Sequence, residues 1–283
     1  MSQFIVSKEN YHFLTWKEQF PKSCDIRSLM TNDKWDKWIK ILEKEGIIDK
    51  LNKFLESQKK LVIVGSRTGA CDARRSIVPP PALTFFANNI IGPEDIKVVI
   101  IGQDPYPKIV NDVCEAQGLS FSVPYGLDVP SSLRNIYLNL QKFQHMKKIP
   151  DHGCLTPWLI QGVFMINAAF TTIEGEKNAH QKQWMDFSIE LLKYINTHCS
   201  NIVFLVWGAF AHGVIKEAGI DADKHLISIS SHPSGLSCNK NYGSYPAFIR
   251  NDCFGDANKY LKDHGKMEVL WDSLDIVDEI MRS

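Results

Sequence analysis

Four short apolar runs punctuate the chain, each closed by a polar or glycine-containing turn: Val98–Ile101, Val163–Ile166, Ile202–Trp207 and Leu226–Ile229. Runs this short and this rich in β-branched residues read as strands covered on both faces, since a half-exposed strand would alternate apolar with polar positions. Between them lie stretches with apolar residues three and four apart. Leu133, Ile136, Tyr137 and Leu140 follow a Ser131-Ser132 N-cap; Trp184, Phe187, Leu191, Leu192 and Ile195 form a second stripe. Ala209 to about Ala218 and Pro246 to about Leu261 are two further helices, the last closing the domain. Upstream, Trp35, Trp38, Ile39 and Leu42, then Ile47, Ile48, Leu51, Phe54 and Leu55 beyond Gly46, predict helices whose tryptophans belong to the core.

Strands alternating with helices are βαβ units. The expected fold class is therefore α/β, a three-layer αβα architecture around a central, mainly parallel four-stranded sheet. Residues 1–31 are aperiodic and read as an N-terminal extension, 32–263 as the domain, and 264–283 as an acidic-apolar C-terminal tail with room for one last helix. Val78-Pro79-Pro80-Pro81 must be extended, because a residue before proline avoids the α region. No internal repeat or low-complexity segment is visible.

In parallel α/β sheets ligands sit beyond the carboxyl ends of the strands. Those four ends carry Gln103-Asp104, Asn167, Gly208-Ala209 and His232. An acid, two amides, a small gap and an imidazole are thus expected to share one cleft. The first turn, Gln103-Asp104-Pro105-Tyr106-Pro107, brackets a tyrosine with two prolines, which fix φ and remove two backbone donors. It reads as a rigid loop, part of a site rather than a simple strand cap.

Composition narrows the field. With 44% hydrophobic and 23% charged residues among 283, the chain is an ordinary globule, and no apolar run reaches the roughly 20 residues of a membrane span. The N-terminus has neither a basic n-region nor a long apolar core, so neither a secretory signal nor membrane association is expected. Seven scattered cysteines (24, 71, 114, 154, 199, 238 and 253), never in a CxxC pair, read as free thiols. The expected location is a reducing intracellular compartment: nucleus, cytoplasm or viral factory. Lys plus Arg equals Asp plus Glu at 32 each, so a nucleic-acid partner would need a local patch. Lys108, Arg134, Lys240 and Arg250 are candidates for it, although each taken singly reads equally well as solvated surface charge.

No GxGxxG, GxxxxGK[ST], GxSxG or HExxH motif is present. Asp104 and His232 as two lone ligands make a weak metal site, so no metal and no cofactor is expected. With no nucleophilic Ser or Cys in these loops, Asp104 is cast as orienting a water or stabilising a developing cation, and His232 as stabilising a leaving anion. Asn167 carries the donor and acceptor needed to read the edge of a base, and Phe121 could stack on a flat ring.

GQDPYP, GLSFSVP, SLRNIY, GVFMINAAFT, AHQKQW, VFLVWGAFA and SSHPSGLS occur in that order, and from about residue 32 to 263 the chain resembles the family 1 uracil-DNA glycosylases. The resemblance implies that family's fold and a monofunctional hydrolase that cleaves the N-glycosidic bond of flipped-out uracil and leaves an abasic site. It implies that Asp104 positions the water and that His232 bonds the uracil oxygen where charge gathers. Gln103 would help hold the base, Asn167 would read it, Phe121 would stack on it, and Tyr106 would stand where a C5 methyl would lie. Leu236 would enter the duplex while Ser132, Ser234 and Ser237 grip phosphates. The implied partner is uracil-containing single- or double-stranded DNA, bound by a monomer.

The chain departs from the family pattern in places. Pro107 replaces a frequent His, in a DPYP form reminiscent of large DNA virus members, and about four extra residues lie between Pro107 and Phe121. Val129-Pro130-Ser131-Ser132 replaces a richer proline run, Ala209 a phosphate-contacting Ser, and Gly235 a Pro. These changes touch DNA grip rather than bond cleavage. The alternative reading is a DNA-binding or replication-complex module of the same fold with reduced or lost catalysis, in which a replication protein is a further partner. The presence of both Asp104 and His232 favours the enzyme.

Overall fold

Each of the four apolar runs forms a strand: β1 (Val98–Gly102), β2 (Val163–Asn167), β3 (Val203–Trp207) and β4 (Leu226–Ser230). The computed structural model describes residues 4–59 and 76–282. The strands pair in the order β2-β1-β3-β4, all parallel. From β1 the chain steps to β2 on one side, then crosses to β3 and β4 on the other. The crevice such a reversal creates therefore opens at the tips of β1 and β3.

The helices cover both faces. Helix α1 (Asp36–Lys44) and α2 (Ile47–Gln58) pack with α4 (Gln181–His198) on one side, where Trp35 stacks on Phe164 of β2 with centroids 5.6 Å apart. Phe85, Phe170, Trp184 and Phe187 extend this layer as an aromatic cluster. On the opposite face, α6 (Cys253–Asp263) packs on β3 and β4, with Phe254 6.0 Å from Trp207. Phe204 and Trp207 differ by an odd number of residues, so the pleat sends them to opposite layers. Two more helices complete the frame: α3 (Ser131–Lys142), and α5 (Gly208–Ala218), which starts directly at the end of β3.

Two boundaries differ from the sequence reading. Pro130, at φ −60° and ψ 150°, occupies the N-cap of α3, so Ser131 and Ser132 are its first two residues rather than its cap. The helix expected from about Pro246 begins at Cys253, because Asp252 caps it by accepting the Gly255 N–H; only the short 3-10 turn Phe248–Arg250 precedes it.

The terminal segments pack into the same body. Trp16, Phe20, Ile26 and Leu29 join the main core, and the Trp16 indole donates to the Pro79 carbonyl at 2.9 Å. Ile5 meets Val277 and Cys154 in a smaller cluster. Trp271 lies edge-on to Trp158 at 5.3 Å, and the tail ends in a helix, Ile276–Arg282. The described cysteines are all unbridged and buried; Cys71 lies outside the described residues. Among the described residues no helix is long and apolar enough to cross a membrane.

Candidate active site

Asp104 and His232 face one cavity of about 230 Å3 beyond the strand tips, lined also by Gly102, Gln103, Tyr106, Phe121, Ser132, Asn167, Lys177 and Asn178. That is below the roughly 300–1,000 Å3 of sites for drug-sized ligands, and suits one small planar molecule.

The strand register sets the reading head. Gly102 and Asn167 are paired residues at the tips of β1 and β2. A Cβ at position 102 would overlap Asn167 Oδ1 and crowd Ser120, so only glycine leaves room for the amide there. A tip later in the chain solves a similar problem: Gly208 has φ +86°, and its missing Cβ would stand 3.0 Å from the Cβ of His232.

Asp104 Oδ2 accepts the Asn178 backbone N–H at 2.7 Å, while Oδ1 is buried without a hydrogen-bond partner. Burial is the largest influence on this carboxyl and pushes its pKa up to about 6, against the opposing pull of the Asn178 N–H, the Thr172 hydroxyl and the Lys177 charge. It is ionised at neutral pH with one oxygen unsatisfied. His232 is held differently. Its Nδ1 accepts the Ser234 N–H at 3.0 Å, which assigns the proton of the neutral ring to Nε2. Burial lowers its pKa, so at neutral pH the ring is an uncharged donor.

Phe121 adopts φ +65°, and its ring centroid lies 5.9 Å from that of His232 and 5.4 Å from that of Trp207. Tyr106 points its hydroxyl at the Phe121 carbonyl, 3.5 Å away, and burial raises its pKa, so it is a neutral wall. Gln103 is exposed and donates through Nε2 to Gln181 Oε1 at 3.3 Å.

Four residues expected to touch DNA surround the mouth. Ser132 lines the cavity from the first turn of α3, whose leading N–H groups have no partner within the helix. Ser234, Leu236 and Ser237 form a tight turn after His232, closed by bonds from the Ser237 and Cys238 amides to the Ser234 carbonyl. Leu236 at its apex is 83% exposed. The turn is anchored from behind, since Asn135 Nδ2 donates to the Pro233 carbonyl at 2.7 Å and the Ser231 hydroxyl to the Ser237 carbonyl at 3.0 Å. Lys108, Arg134, Lys240 and Arg250 are all exposed.

The extra residues after Pro107 form a small hairpin, Ile109–Val110 paired with Val113–Cys114. Its turn residues Asn111 and Asp112 have φ +50° and +65°, the pattern of a type I′ connection. Sequence reading missed Asn178, Lys177, Asn135 and Ser231. Ala116 and Leu119, which line the cavity behind Tyr106, escaped it as well. Among the described residues no group of three His, Cys, Asp or Glu side chains could hold a metal ion.

Comparison with known proteins agrees in kind. The model of the uracil DNA glycosylase superfamily matches residues 90–262. A probable uracil-DNA glycosylase of Acanthamoeba polyphaga mimivirus is 39% identical over 281 residues, covering 95% of this chain and 72% of that protein. The uracil-DNA glycosylase of Caenorhabditis elegans is 37% identical over 94% of this chain and 87% of its own length. The crystal structure of mimivirus uracil-DNA glycosylase superposes with a TM-score of 0.83 at 38% identity, covering 95% of this chain and 97% of that one.

Proposed function

The chain belongs to the uracil-DNA glycosylase superfamily, and from that membership we propose how its site hydrolyses the N-glycosidic bond of uracil in DNA. The observation that carries the proposal is the pairing, across one pyrimidine-sized cavity, of an ionised carboxylate with an unsatisfied oxygen and a neutral imidazole with a free donor.

A base inside a duplex must be rotated out, which costs a few kcal/mol. Exposed Leu236 fills the space the base vacates, while Ser132, Ser234, Ser237 and the first turn of α3 hold the flanking phosphates. Within the cavity Phe121 stacks on the ring, Asn167 pairs with its edge, Gln103 helps hold it, and Tyr106 blocks the place of a thymine methyl. As the glycosidic bond breaks, its electron pair passes to the base and the sugar becomes cationic. The anionic Asp104 stabilises that cation and, through Oδ1, orients the water that adds to it and takes up the proton that the water sheds. His232 Nε2–H stabilises the departing uracil anion. Neither step calls for a cofactor.

Cytosine presents a donor where uracil presents an acceptor. A single fixed orientation of the Asn167 amide then leaves buried groups unpaired against the wrong base, a mismatch worth roughly 10⁴- to 10⁵-fold. The unbridged cysteines among the described residues support work in a reducing compartment inside the cell, and the chain acts as a monomer on single- or double-stranded DNA. A purely DNA-binding role for the fold would leave the partnerless, buried Asp104 oxygen unexplained.

The test is release of uracil from a single-stranded oligonucleotide in the presence of EDTA. Release is expected to fall about 10²- to 10⁴-fold in Asp104→Asn and in His232→Leu. Near-wild-type turnover in either variant would refute the assigned role.

A further inference from the structure

The backbone amide that fastens Asp104 Oδ2 has an uncommon conformation, and the Thr172 hydroxyl is a weaker, side-chain influence on the same carboxylate. Asn178 has φ +62°, in the left-handed region that asparagine tolerates and β-branched residues strongly disfavour. The segment leading to it is pinned along its length. The Thr172 hydroxyl donates to the Glu176 carbonyl at 2.7 Å, the Glu176 N–H to the Ile173 carbonyl at 2.9 Å, and the Gly175 N–H to the Pro107 carbonyl at 2.8 Å. This last bond ties the segment to the same loop that carries Asp104, at the proline where the chain departs from the family pattern.

We propose that Asn178 is a positioning residue for the reaction. Its left-handed backbone turns the N–H onto Asp104 Oδ2, fixes the rotation of the carboxylate, and leaves Oδ1 as the single acceptor for the attacking water. Without this bond either oxygen could face the sugar, and the water would lose its defined approach. The inference rests on the reaction assigned above and adds a residue whose side chain need not touch substrate.

The bond also favours the ionised form of Asp104, so its loss should move the acid limb of activity upward. The other groups around the carboxylate are the Thr172 hydroxyl and Lys177 on the same segment, which act in the same direction, and Tyr106 and His232 on the cavity wall, both neutral at pH 7.

Asn178 is exposed, so substitution there leaves the core untouched. Asn178→Val penalises the left-handed backbone, Asn178→Ala penalises it less, and Asn178→Gly permits it freely while retaining the N–H. Steady-state kinetics on a uracil oligonucleotide across pH 4 to 9 should show kcat reduced about 10- to 100-fold in Asn178→Val, with KM within about twofold. The midpoint of the acid limb should rise by about one pH unit, the contribution of one backbone donor to a carboxylate. Asn178→Ala should fall between, and Asn178→Gly should restore both the rate and the midpoint. An active wild type with Asn178→Val indistinguishable from it overturns this inference alone, as does an Asn178→Gly variant as impaired as Asn178→Val, which would assign the role to the amide side chain. A wild type that releases no uracil overturns the reaction as well.

Discussion

Gly102 and Asn167 are register partners at the tips of two adjacent parallel strands, and the Asn167 amide oxygen occupies the space that a side chain at position 102 would fill. The strand ladder thus does more than support the site, because pairing at β1 and β2 decides where the amide points. Gly102→Ala should displace that amide without opening the core. The expected result is a loss of at least tenfold in kcat/KM on uracil, with weaker discrimination against cytosine. Parallel release assays on the two substrates check it, and an unchanged ratio would mean that Asn167 is held by something else.

The raised pKa of Asp104 has two consequences of opposite sign. In the proposed mechanism Asp104 acts in its ionised form, so kcat/KM should fall about tenfold per pH unit below about 6. Stability runs the other way. Between the ordinary carboxyl pKa of 3.8 and about 6, the folded state binds the proton more tightly than the unfolded chain, so this group makes the protein less stable as pH rises through that window. Above it the penalty is complete, about 1 to 3 kcal/mol for a partly buried group. Asp104→Asn, which keeps an acceptor for the Asn178 N–H, should therefore lose about 10²- to 10⁴-fold in activity yet melt about 2 to 12 °C higher at pH 7. At pH 3.5 the two should melt nearly together. Calorimetry at both pH values decides the matter.

The tail after residue 263 is a structural part of the domain. Trp271 and Leu274 are buried, and Trp158 donates its indole N–H to the Trp271 carbonyl at 3.1 Å. Trp271→Ala should cost about 3 to 5 kcal/mol, as other large-to-small core changes do. The melting temperature would drop by roughly 6 to 20 °C. Trp271 does not line the catalytic cavity, so kcat at 15 °C should stay within about twofold of wild type.

Which parts of this molecule could be read from its sequence follows from where the physical signal resides. Three of the four strands were legible because a parallel strand covered on both faces must be apolar at every position, as Val98–Ile101 is; the edge strand Leu226–Ser230 is only half-buried and carries two serines, so its signal was the weaker one. The convergence of Asp104, Asn167 and His232 followed from topology, since parallel strand tips share one edge. Ile5, Trp16 and Phe20 gave no such signal. Each fills a separate gap between elements, so their spacing has no period even though all are buried. Ser131 and Ser132 read as caps by residue type, but the fixed φ of Pro130 claims that position. Asn178 was invisible because it acts through its backbone N–H, a group every residue but proline carries. The hairpin after Pro107 did leave a trace, Asn111-Asp112 between the apolar pairs Ile109-Val110 and Val113-Cys114, which matches a two-residue turn.

Tyr106 lines the cavity beside Phe121, its hydroxyl directed at the Phe121 carbonyl. Forcing one extra methyl against a packed ring costs about 1 to 3 kcal/mol, enough to reject thymine by roughly 10- to 100-fold or more. Tyr106→Ala removes the obstruction, so release of thymine from an oligonucleotide should become measurable. Release of uracil should weaken at the same time, because a smaller wall holds the base less firmly. A variant that still rejects thymine would place the steric gate elsewhere.

Leu236 is a large apolar side chain left 83% in water at the apex of a turn held by hydrogen bonds from neighbouring elements and from the turn itself. It contributes little to folding where it stands, so Leu236→Ala should leave the melting temperature within about 1 °C. In the proposed role its apolar surface is buried on the substrate, where a base has left a gap between stacked neighbours. Truncation removes three carbons from that contact, worth about 2 kcal/mol at roughly 0.8 kcal/mol per methylene. On double-stranded DNA kcat/KM should then fall about 10- to 50-fold. A single strand has no stack to fill, so activity there should change less than about threefold. An equal loss on both substrates would mean that Leu236 touches the nucleotide being cleaved, and the wedge role would be wrong.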